Sequence, residues 1–175
     1  MVEPDWGRAA VYAAENQWSA ALDRGGEIDF FGSKLTLPQQ RYFETIDAMQ
    51  CYCDGVLGAV NRTARFPFAG PVLVRARAGQ RMAHYEPARQ TIAIPISGSF
   101  GVPGWACCEA VILHELTHHL IFSSADLATT VGAMHGETFT TTMCWLVAEV
   151  LGPQAALVLQ GAFHGAGVTV GAYVT

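Results

Sequence analysis

A chain of 175 residues, 51% of them hydrophobic, is long enough to bury one substantial core, and its formal charge of −5 argues against a dominant nucleic-acid or anionic-membrane surface. Only 14% of the residues are charged, against roughly 25% in ordinary soluble domains, which favours a compact enzyme over a solvated linker protein. The one local exception is the stretch 62–89, where Arg62, Arg65, Arg75, Arg77, Arg81 and Arg89 accompany a single acid, Glu86, and read first as a solvated face.

In chain order, the opening MVEPDWGRAA has neither a basic nor an apolar leader region, so a cytoplasmic protein is expected. Residues 5–23 predict a helix capped by Asp5, and EIDFFGSKLTL at 27–37 a turn or short strand pair. A longer helix is predicted over 38–60, with Pro38 in its first turn. Three β-type runs at 71–78, 81–86 and 91–96 predict a small antiparallel sheet. An apolar helix over 105–122, a loop, and helices over 137–151 and 153–163 complete the reading. The expected fold is α+β, helices on a short sheet, as one domain spanning 1–175. The apolar helix is interrupted by Glu109, His114, Glu115, His118 and His119, so no membrane span is predicted. Cys51, Cys53, Cys107, Cys108 and Cys144 form no C-x-x-C pair and are read as reduced thiols.

Within that apolar helix stands HELTH at 114–118. Side chains four apart on a helix share a face, so His114 and His118 can grip one ion, and neutral imidazoles suit zinc. Two such ligands plus a third leave a position for water, beside which Glu115 stands as general base. Burying two histidines and a glutamate unpaired in an apolar helix is costly, and a bound metal removes that cost. The third ligand must come from elsewhere in the chain. His135, opening HGETF at the start of the next helix, is preferred, with Glu137, Glu149 and Asp126 as alternatives.

With HELTH followed after a loop by HGETF, the chain resembles the zincin metallopeptidases, and among them the SprT-like pattern of HExxH followed by HGPxF. It is also similar to an uncharacterised group of actinobacterial metallohydrolases carrying HELxHHL and a later HGxxF. The resemblance covers 114–139. It implies a zincin-like fold, His114, His118 and His135 as zinc ligands, Glu115 as catalytic base, Phe139 as a packing residue, and a peptide or protein substrate. Glu137 and Thr138 stand where Pro and Glu usually follow HG in SprT-like enzymes, and no C-terminal zinc ribbon or strongly basic tail accompanies them. Both departures argue against repair of DNA–protein crosslinks. The metzincin signature is missing, since Ile121 and Ser124 stand where its Gly and third His belong.

The expected function is therefore a zinc-dependent hydrolase, a metallopeptidase, in which Glu115 takes a proton from the attacking water and returns it to the leaving amine. Its competitors are an inactive zinc-binding interaction module and a zinc hydrolase of a non-peptide amide or ester. Tyr85, His84 and an arginine from 75–89 are candidates for a further oxyanion donor, and Thr117, Thr138 and Asp126 for partners of the zinc histidines. His119, turned about 100° from His118, reads as a supporting partner of the metal histidines or a packing residue, and His84 and His164 as ordinary polar ones. An exposed edge of 81–86 or 91–96 could take an extended peptide by strand addition.

Overall fold

Val11, Ala14, Trp18, Ala21 and Leu22 fall on one stripe of the first helix, α1 (Arg8–Arg24), and all are buried. Gly25, at φ 56°, ends it, a conformation in which a side chain would be strained. This computed structural model describes residues 7–77, 82–96, 104–124 and 133–172, so Asp5, Arg81 and Asp126 lie outside the described residues. Residue contacts divide the chain into two compact units, Met1–Gln40 with Thr129–Thr175, and Arg41–Ala128.

In the first unit, β1 (Gly26–Phe30) and β2 (Ser33–Leu37) form an antiparallel hairpin. Its two turn residues, Phe31 and Gly32, both have positive φ, the signature of a type I′ turn, and Asp29 Oδ1 accepts from Gly32 N at 3.0 Å. Two further helices belong here, α4 (Glu137–Leu151) and α5 (Pro153–Gly165), the latter with proline in its first turn, where no hydrogen bond is lost. Trp18 Nε1 donates to Ala155 O at 3.0 Å, and Thr36 N to Gln154 Oε1 at 2.5 Å, tying α1 and the hairpin to the start of α5.

The second unit begins with a correction. The helix predicted from Pro38 starts only at Ile46: α2 runs Ile46–Val60, with the Thr45 hydroxyl accepting from Ala48 N at 3.1 Å as its N-cap. Before it the chain is held extended instead, with Phe43 N donating to Cys107 O and Glu109 N to Arg41 O. A three-stranded sheet follows, of β3 (Leu73–Ala76), β4 (His84–Glu86) and β5 (Thr91–Ile94). It is mixed rather than antiparallel, because β5 takes the centre, antiparallel to β4 and parallel to β3.

The apolar helix α3 (Glu109–Ser123) opens four residues later than predicted. Cys108 pairs with Tyr42 as an isolated bridge, which keeps 105–108 out of the helix. The secondary structure is α+β, with all five cysteines free. No helix among the described residues is long and apolar enough to cross a membrane.

Candidate metal centre

Twelve of the fifteen residues of α3 are buried, so this helix has no polar face on which His114, Glu115 and His118 could be solvated. Their exposures are 5%, 5% and 6%. Four-residue spacing stacks the two imidazoles, with ring centroids 5.0 Å apart and planes at 74°. Two imidazoles held side by side in a desolvated setting offer nitrogen donors of a kind that can hold a metal ion.

The rotation of α3 is fixed at both ends. At its start Glu109, 1% exposed, accepts from the Tyr52 hydroxyl at 2.7 Å through Oε1 and from Arg41 N at 3.1 Å through Oε2. A carboxylate there is also favoured by the helix dipole. Burial and this neighbouring carboxylate push the Tyr52 phenol far above its ordinary range. Near the other end His119, fully buried, has Nε2 2.8 Å from Gly70 O and Nδ1 3.0 Å from the Tyr85 hydroxyl. Gly70 O can only accept, so Nε2 carries the proton and Nδ1 accepts from Tyr85. Burial lowers the His119 pKa, against the opposing pull of the Gly70 carbonyl. Of the two roles that the sequence offers for His119, these contacts favour packing, with the ring turned onto the sheet.

Two sequence candidates for supporting roles are engaged elsewhere. Thr117 Oγ1 donates to Leu113 O, four residues back, at 2.8 Å, which spends its only proton within α3. The Tyr85 hydroxyl is committed to His119, so its role is to position that ring. Neither assignment was legible in sequence, because each depends on side-chain direction or on a residue 34 positions away.

In the other unit, His135 is 7% exposed and directly precedes Gly136, the N-cap of α4. Its ring meets Tyr12 edge-on at 5.2 Å and Phe139 at 4.9 Å, so Phe139 does pack against it as the resemblance implies. Gly136 sits where a Cβ would come 3.2 Å from Ala133 O, a tight contact that a side chain could take only if the preceding turn shifted. Of the alternative ligands, Glu149 is exposed on α4, and Glu137 points its carboxylate at the C-terminal segment, where a Cβ on Gly171 would lie 2.7 Å from its Oε1. His164 is exposed on α5, and His84 lies on the sheet of the second unit. No family model matches the chain, and neither does any curated protein or solved structure.

Proposed function

We propose that this chain is a zinc-dependent hydrolase with a zincin-like fold, a metallopeptidase cleaving peptide bonds, with His114, His118 and His135 as ligands and Glu115 as general base. The observation that carries the reading is the burial of His114, Glu115 and His118 together on one face-sharing stretch of α3. Two imidazoles and a carboxylate withdrawn from solvent on successive turns of one helix are the donor types that a catalytic zinc site uses. His135 is supported as the third ligand by its burial at the mouth of α4 and by the HGETF motif, where the resemblance places that ligand.

Three neutral histidines are a catalytic rather than a structural ligand set, since they leave a coordination position open. When bound, zinc would supply Lewis-acid polarisation of a carbonyl and a more acidic water. Glu115, next to His114 on α3, accepts the proton of the attacking water and passes it to the departing amine nitrogen. Its low exposure excludes bulk water, which sharpens its response to the nearby charge.

The test is zinc content together with hydrolysis of a mixed peptide pool, for the native chain beside Glu115→Gln. A metal-loaded native protein that cleaves, and a metal-loaded variant that does not, is the expected pair. Zinc without turnover on any peptide, amide or ester would leave the metal site standing and remove the enzyme.

A further inference from the structure

Tyr85 of β4 turns inward onto His119, so its neighbours His84 and Glu86 turn to the opposite side of the sheet. Arg75 joins them there, because Arg75 and His84 both register against Ala93. On that face Glu86 collects three partners. Arg75 binds it directly, His84 Nε2 lies at 3.1 Å, and Arg89 Nη1 at 3.8 Å. Arg77 donates to His84 Nδ1 and reaches Met82 O at 3.4 Å. Two guanidinium groups, of Arg75 and Arg89, therefore meet the one carboxylate and a third, of Arg77, caps the His84 ring beside them, so this cluster is net positive on a chain whose net charge is −5.

The two edges of this sheet differ. Along β3, Gln50 occupies the backbone groups that another strand would use, its Oε1 accepting from Val74 N at 2.7 Å and its Nε2 donating to Val72 O at 2.8 Å. Along β4 no strand pairs with the outer edge among the described residues. A chain added there would place every second side chain on the outer face, about 7 Å apart, beside His84 and Glu86. Arg77 stands at the first of these positions, and Arg89, its side chain 76% exposed, just past the second.

We propose that β4, flanked by Arg77 and Arg89, binds an extended acidic peptide whose carboxylates lie two residues apart. Arginine matches carboxylate geometry through paired N–H donors; Arg75 takes the direct bond to Glu86, Arg89 meets that carboxylate only at 3.8 Å with a largely exposed side chain, and Arg77 is bonded to the His84 ring and the Met82 carbonyl, not to a carboxylate, so a ligand carboxylate would compete with weak partners at both. A nucleic acid fits less well. It would require a longer run of phosphate contacts and aromatic faces for its bases, and Tyr85, the aromatic residue of β4, is turned to the other side. That the peptide is a substrate rests on the metal site proposed on α3; that it binds does not.

The experiment uses the full chain carrying Glu115→Gln, to bar cleavage, and fluorescein-labelled peptides of alternating Glu and Thr or alternating Gln and Thr, read by fluorescence anisotropy. The Glu peptide is expected to bind roughly tenfold tighter than the Gln peptide. Replacing Arg77 and Arg89 together by Gln should abolish that preference, and Arg62→Gln, elsewhere in the same basic stretch, should leave it. Glu86→Gln, which removes the competing carboxylate, should tighten binding of the Glu peptide. Equal affinity for the two peptides, or a preference that survives loss of both arginines, would overturn the proposal. So would a single-stranded oligonucleotide of equal charge that displaces the peptide at lower concentration. A chain that shows the arginine-dependent preference yet holds no zinc would keep this surface and lose the proposed metal centre.

Discussion

The Tyr85 hydroxyl donates to Nδ1 of His119 at 3.0 Å, and through that bond β4 fixes the helix on which His114 and His118 stand. Tyr85→Phe leaves the fully buried Nδ1 without its donor while changing little volume. The expected cost is about 1–3 kcal/mol in denaturant unfolding. An unchanged unfolding midpoint would show that the bond does not anchor α3.

Glu109 is the counterpart at the start of the same helix. Glu109→Ala strips the partners of the Tyr52 hydroxyl and Arg41 N together, at an expected cost of about 2–3 kcal/mol. The loss should shrink in a Tyr52→Phe background, because part of it is the stranded phenol. A double-mutant cycle measures that coupling, and strictly additive effects would refute it.

The thiols divide by burial. Cys51 is exposed, whereas Cys53 and Cys144 are buried and pushed up from the ordinary 9.0 to about 12, chiefly by desolvation of the thiolate. Burial raises Cys107 as well. Alkylation of the native chain at pH 8, followed by mass spectrometry, should therefore modify Cys51 rapidly and Cys53, Cys107 and Cys144 only after unfolding. The same shifts set an alkaline limit. Between about pH 9 and 12 the unfolded chain releases protons that folded Cys53 and Cys144 retain, so stability is full below 9 and falls as pH rises through this window. A stability curve that is flat or rising there would contradict the burial of these thiols.

The proposed centre stands out in sequence because its signal is local. HELTH carries two histidines at helical spacing, and the apolar residues around it announce the buried helix that the fold contains. The preference for His135 over Glu149 and Glu137 comes from a motif; that His135 is buried while Glu149 and Glu137 are exposed is a matter of the fold. What failed to show in sequence is what depends on distant partners. Pro38 suggested a helix start, but the extended pairing of Phe43 with Cys107 decides where α2 begins. The parallel union of β3 with β5 was hidden because β4 lies between them in sequence and outside them in the sheet. The basic stretch read as a solvated face, and only the pairing of Arg75 and Arg89 with Glu86, beside an edge that no strand covers among the described residues, points to more.

Glu115→Gln separates binding from chemistry. It removes the proton acceptor and leaves the imidazoles, so metal content should be unchanged while peptide hydrolysis falls by about 10²–10⁴-fold. Retained turnover would assign the base elsewhere.

The central claim is that three histidines hold one zinc, and elemental analysis of the native chain beside His135→Ala tests it most directly. About one zinc per chain is expected in the native protein, with a sharp reduction in the variant. A native chain that takes up no zinc when it is offered, or a variant that keeps its full complement, would contradict the account.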